Sequence, residues 1–105
     1  MLQEIRMDDI KPLARWQNRQ VIYFYTPMCG TCKVARKMLE VVDATMNDVI
    51  IYTCDANFAG PLLQRWRVQS IPALAYIESG ELVDLQFAFH DVETLYHRLR
   101  NFLNR

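Results

Sequence analysis

Along this chain, apolar residues gather into short unbroken blocks. Between the blocks lie longer stretches in which they recur every three or four positions. Val21-Ile22-Tyr23-Phe24-Tyr25 is a β-branched and aromatic block that reads as a buried strand. In the stretch that follows, Ala35, Met38, Leu39 and Val42 fall at the i, i+3, i+4, i+7 spacing of an amphipathic helix, which runs to about Ala44. Val49-Ile50-Ile51-Tyr52-Thr53 is a second block, apolar on both faces, as in a covered parallel strand. Leu2 to Ile5 predicts a short first strand. Asp8 or Asp9 can cap a helix to about Asn18, with Pro12 in its first turn and Arg15 and Arg19 near its end, where positive charge suits the dipole.

The second half continues in the same way. Phe58 to Arg67 predicts a short helix with Pro61 in its first turn and Leu62, Leu63 and Trp66 as its apolar stripe. Residues 73–77 and 82–87 flank Glu78-Ser79-Gly80-Glu81 and read as a hairpin turning at Ser79-Gly80. Asp91 caps a last helix that turns Val92, Leu95, Tyr96, Leu99, Phe102 and Leu103 inward and carries Arg98, Arg100 and Arg105 late. No linker, repeat or low-complexity segment interrupts the series, so residues 1–105 read as one domain. The order β-α-β-α-β-α-β-β-α predicts an α/β fold, a central mixed sheet with helices on both faces.

Composition narrows the function classes. Hydrophobic residues make up 51% of the chain and charged residues 23%, which allows a real core and an ordinary soluble surface. With a formal net charge of zero, nothing favours electrostatic capture of nucleic acid or an anionic membrane. No apolar run approaches the roughly 18 residues of a spanning helix. The first nine residues lack a signal-peptide h-region, so a cytoplasmic address is the default expectation. Three cysteines are too few for a disulfide-stapled secreted domain, and in a reducing compartment a CxxC pair points to catalysis or metal.

That pair is Cys29-Gly30-Thr31-Cys32, set where the strand at 21–25 hands over to the amphipathic helix. The first cysteine stands at the helix mouth, where unpaired N–H groups and the dipole favour negative charge. A thiol there loses its proton easily, and the thiolate is the nucleophile. Strand, CxxC, helix is the layout of a dithiol redox site.

This order, with Cys29-Gly30-Thr31-Cys32 after the second strand, resembles thioredoxin. Val68-Gln69-Ser70-Ile71-Pro72-Ala73-Leu74 is similar to the family's Ile-Pro segment. Ser79-Gly80-Glu81 is similar to its hairpin turn, and Asp55-Ala56-Asn57 to its exit from the preceding strand. The resemblance implies the thioredoxin fold and thiol–disulfide exchange with no bound cofactor, the Cys29–Cys32 pair itself being the redox centre. It implies a cis Pro72 facing the pair, and an edge at Ile71 where an extended substrate peptide pairs by strand addition. Met28, Gly30 and Thr31 would touch the substrate beside Cys29. The partners would be disulfide-containing proteins, with a thioredoxin reductase or a low-molecular-weight thiol as electron donor, and the chain would act as a monomer.

The departures from the family pattern mark a divergent relative. Met28 replaces a Trp, Thr31 a Pro, and Tyr23 a buried Asp that helps deprotonate the second cysteine. Ile51 stands for a partner Lys, Lys37 for a helix-kinking Pro, and Ala88 for a Gly. A phenol with a reference pKa of roughly 10 is a poor base at neutral pH, so Tyr23 reads as core. The Thr31 hydroxyl and N–H either donate to the Cys29 thiolate or face solvent. Cys54 reads as a buried small hydrophobe. His90 and His97 read as surface residues, and Trp16 and Trp66 as packing residues near the surface. Two other readings stay open: a binding or redox-sensing module with little turnover, and a metal site at Cys29 and Cys32. Zinc usually takes four ligands, which only two pairs shared across a dimer would supply here.

Overall fold

The computed structural model describes residues 1–104, so Arg105, expected late in the last helix, lies outside the described residues. Five strands form one sheet: β1 (Leu2–Glu4), β2 (Arg19–Tyr25), β3 (Ile51–Asp55), β4 (Ala73–Glu78) and β5 (Glu81–Gln86). Their spatial order is β1-β3-β2-β4-β5. β1 and β2 run parallel to β3, while β4 runs antiparallel to both β2 and β5. Four helices pack on this sheet: α1 (Ile10–Leu13), α2 (Gly30–Ala44), α3 (Gly60–Arg65) and α4 (Val92–Leu103).

Alternation along the central strands builds a core on each face. In β2, Val21 and Tyr23 join Leu74 and Tyr76 of β4 under Cys32, Ala35, Leu39 and Val42 of α2 and Leu95 and Leu99 of α4. Ile22 and Phe24 face the other way, with Ala73, Ala75 and Ile77, toward Ile10 of α1 and Leu62 and Leu63 at α3. Sequential side chains of one strand thus support helices on both faces, the fold class that the apolar blocks imply.

Several boundaries differ from expectation, and Arg19, expected near the end of the first helix, instead opens β2 two residues before Val21, paired with Glu78 of β4. The helix expected to reach about Asn18 is a 3₁₀ turn at Met7–Asp9 followed by α1, which ends at Leu13. Only Ile10 of α1 is buried, and Trp16 is 87% exposed, so no core cover holds a longer helix together. The helix expected over 58–67 is divided between a 3₁₀ turn at Ala56–Phe58 and α3, leaving Phe58 78% exposed. β3 starts at Ile51 rather than Val49, because the parallel partner begins at Leu2, opposite Ile51.

The hairpin turns at Ser79-Gly80, both at positive φ (52° and 83°), which matches a two-residue turn of the primed kind. Asn18 straps this turn: its carbonyl accepts from the Ser79 N–H at 2.7 Å, and its side-chain Oδ1 accepts from the Ser79 hydroxyl at 2.6 Å. The last helix starts where expected, with the Asp91 carboxylate accepting the Thr94 N–H at 2.8 Å.

Candidate active site

Cys29 is the N-cap residue of α2, with extended backbone, and its sulfur accepts the N–H of Cys32 at 3.2 Å. A side-chain acceptor at this position satisfies one of the orphan donors of the first turn, and here the acceptor is a thiol sulfur. Thr31 Oγ1 lies 3.3 Å from the same sulfur, so its hydroxyl faces the thiol pair rather than only solvent. Cys29 is half-buried, whereas Cys32, one turn on, is only 3% exposed.

The two thiols are therefore unequal. The Cys32 thiol, then the Thr31 hydroxyl, hydrogen-bond to the Cys29 sulfur and hold its pKa below the ordinary cysteine value. Burial, followed by the bond to Cys29, pushes the Cys32 thiol up. All three cysteines are free thiols. Cys54 packs in the core layer across the sheet from Cys32, and burial pushes its pKa up to about 11. It behaves as the buried small hydrophobe that its strand position implies.

Around the pair, Met28 is 93% exposed, and Gly30 and Thr31 are exposed with it. Ile71 and Pro72 are half-buried ahead of β4, joined by a cis peptide. Phe24 pairs with Ala73, which sets Pro72 at the end of the β2–β4 ladder where β2 hands over to α2. Ile71 packs against the same core layer as Cys29 and Cys32. The residues singled out in the sequence are thus gathered at one end of the sheet. His90 and His97 are both exposed. Among the described residues, no group of three or more His, Cys, Asp or Glu side chains converges as a metal site would need.

Tyr23 does more than fill the core. Its hydroxyl donates to the carbonyl oxygen of Cys32 at 2.5 Å, and its ring stacks on Tyr25 with centroids 5.8 Å apart. Burial raises the Tyr23 pKa well above its ordinary 10.0, so the phenol stays protonated. Arg36 of α2 lies over the Tyr25 ring at 5.8 Å. A small cleft of about 130 Å³ opens here among Tyr23, Tyr25, Cys32 and Arg36. Sequence reasoning missed this arrangement. The one available signal was a tyrosine six residues before Cys29, and in an apolar block it reads as core. A larger cleft of about 650 Å³ lies beyond Tyr25, among Glu4, Cys54, Asp55 and Phe58.

A mixed five-stranded sheet whose long helix opens on a CxxC pair, with Cys29 as its N-cap, defines the class of dithiol oxidoreductases built on an α/β fold. Within that class, the thioredoxin family model matches residues 10–101, and the chain belongs to the thioredoxin family. It is 33% identical over 99 residues to the thioredoxin-like protein YusE of Bacillus subtilis (strain 168), covering 94% of this chain and 89% of that protein. It is 33% identical over 73 residues to thioredoxin of the same organism, covering 69% of this chain and 70% of that one. Among solved structures, a mutant thioredoxin from Halobacterium salinarum aligns with a TM-score of 0.81 at 17% identity, covering 97% of this chain and 90% of that chain. Oxidised mitochondrial thioredoxin 3 from Saccharomyces cerevisiae aligns with a TM-score of 0.77 at 18% identity, covering 95% and 94%. These likenesses show the thioredoxin fold. Family and thiol pair together make the chain a thiol–disulfide oxidoreductase of thioredoxin type.

Proposed function

We propose that the chain reduces protein disulfides, with Cys29 as attacking thiol and Cys32 as resolving thiol. The observation that carries this reading is the unequal pair: a Cys29 sulfur at the helix N-cap, accepting the Cys32 N–H, beside a buried Cys32. The Cys29 thiolate attacks one sulfur of a substrate disulfide, forms a mixed disulfide, and the other substrate sulfur leaves as a thiolate. Cys32 then loses its proton to solvent and attacks the Cys29 sulfur. The Cys29–Cys32 disulfide forms, and the second substrate sulfur leaves reduced.

The exposed flank of Met28, Gly30 and Thr31 is the surface on which the substrate chain rests. Met28, unbranched and polarizable, adapts to varied apolar neighbours there. The Ile71 backbone beside Pro72 offers a peptide edge for strand addition. No bound cofactor enters this cycle. The oxidised pair is returned to dithiol by a thioredoxin reductase or a low-molecular-weight thiol, and the chain works as a monomer in the cytoplasm. A Cys32→Ser variant tests the assignment with a disulfide-bonded peptide. It should stall as a stoichiometric mixed disulfide on Cys29 that dithiothreitol releases. Failure to trap, or trapping on Cys54, would overturn it and favour a binding module.

A further inference from the structure

We propose that Tyr23 stabilises the resolving thiolate of Cys32 as a hydrogen-bond donor, with Arg36 supplying the neighbouring positive charge, so that Cys32 resolves through solvent without a carboxylate base. The inference rests on the dithiol reading and assigns two further residues to its second step.

Resolution requires a thiolate at the less favourable of the two cysteines. Cys32 is buried, and taking a charge into that site is costly unless a donor meets it. The residues lining the adjoining cleft are Tyr23, Tyr25, Thr26, Pro27, Cys32, Lys33 and Arg36. Among these described residues there is no carboxylate to take the proton, and the ionisable groups besides Cys32 are two phenols and two cations. Cys29, the remaining titratable neighbour, carries no charge once its sulfur is bonded to substrate, so its opposition to a second thiolate is gone at that stage.

The Tyr23 hydroxyl is placed to act. It donates to the Cys32 carbonyl at 2.5 Å and lines the same cleft as Cys32, where its hydroxyl, like the Thr26 N–H, favours the Cys32 thiolate. A phenol turning between a carbonyl and a sulfur on the same residue needs no backbone movement. Its proton is secure, because burial disfavours the phenolate. Tyr23 therefore donates a hydrogen bond and does not accept the proton. Arg36 is half-buried on the outer side, over Tyr25, and its charge reaches the Tyr23 phenol. The cleft of about 130 Å³ is roomy enough for water, which needs little more than about 10–15 Å³, so the Cys32 proton has a solvent exit.

The test separates the two steps in the full-length reduced chain, with 5,5′-dithiobis(2-nitrobenzoate) as the disulfide. Cys29 attack releases one thionitrobenzoate and leaves the other bonded to Cys29. Cys32 attack on Cys29 then releases the second and forms the intramolecular disulfide. Stopped-flow absorbance follows both phases against pH. In Tyr23→Phe the first phase should match wild type. The second should slow about tenfold at neutral pH, the worth of a hydrogen bond to a charged group. Its pH midpoint should move up, and the wild-type plateau should return at high pH. Arg36→Gln should slow the second phase less, and added salt should shrink its difference from wild type. A second phase unchanged in Tyr23→Phe, or slowed equally at every pH with no movement of the midpoint, would overturn the proposal. If Tyr23→Phe does not fold, Arg36→Gln decides: a second phase identical to wild type at low and high salt would overturn it. Absence of the first phase in wild type would instead overturn the dithiol reading itself.

Discussion

The Tyr23 hydroxyl donates to the Cys32 carbonyl at 2.5 Å, which ties the centre of β2 to the first turn of α2 directly below the thiol pair. Cys29, three residues earlier, caps the same turn with its sulfur. The two cysteines are therefore held by different partners, one at the open rim of the helix and one over a buried phenol. Their chemical inequality follows from that placement.

Alkylation should rank the three thiols. Cys29, half-buried at the helix mouth and held below the ordinary cysteine pKa, should react with iodoacetamide at neutral pH while Cys54 stays unlabelled. Cys54 should become reactive only when the chain unfolds, because it is 2% exposed and its pKa is pushed up to about 11. Site-resolved mass spectrometry reads this directly. Equal labelling of Cys29 and Cys54 in the native chain would contradict it.

Thr31→Val removes a hydroxyl 3.3 Å from the Cys29 sulfur while keeping a branched side chain. The Cys29 thiolate then loses a donor, so its pKa should rise. Alkylation at pH 7 should slow by about threefold, within the range of one modest hydrogen bond. Because the reduced form is less stabilised, the Cys29–Cys32 disulfide should become less oxidising against a glutathione buffer. An unchanged alkylation rate and potential would show that the hydroxyl serves no purpose at the site.

Stability should decline in alkali. Burial raises Cys54 from 9.0 to about 11 and Tyr76 from 10.0 to about 12. Between the ordinary and raised values the folded chain holds protons that the unfolded chain has lost, so stability falls as pH rises. It should be full below about pH 9 and drop through pH 11 for Cys54, with the tyrosines adding to the loss above about pH 10. Urea midpoints at about pH 8 and about pH 10.5 check this, and Cys54→Ala should flatten the lower part of the decline. Equal midpoints at the two pH values would contradict it.

Gln20 in β2 is buried, and neither of its amide atoms has a hydrogen-bond partner among the described residues. A buried, unsatisfied amide is a cost that an apolar side chain of similar shape avoids. Gln20→Met should raise stability by about 1 kcal/mol in chemical denaturation. A loss of stability would mean that the amide is satisfied in solution.

Much of the fold was legible because its signals are local. The spacing of Ala35, Leu39 and Val42, the Asp91 cap and the Ser79-Gly80 turn each depend on only a few neighbouring residues. Cys29 at the mouth of α2 was legible for the same reason. What failed depends on the rest of the molecule. The chain after Leu13 has helix-compatible residues, yet Trp16 finds no surface to cover it. Val49 and Ile50 resemble a strand start, yet the register with Leu2 begins only at Ile51, two residues after Val49. Tyr23 was the largest miss. In sequence it is one of three aromatics in an apolar block of five residues, and its bond to Cys32 exists only once α2 lies across β2.

Insulin reduction reads out disulfide exchange at Cys29 in a single assay. The reduced chain should cleave insulin disulfides in the presence of dithiothreitol faster than dithiothreitol alone. Peptide mapping of chain quenched during turnover should recover a Cys29–Cys32 disulfide, and Cys29→Ser should abolish the acceleration. Full activity in Cys29→Ser, or a wild-type chain that leaves insulin intact with both thiols still free, would contradict the account.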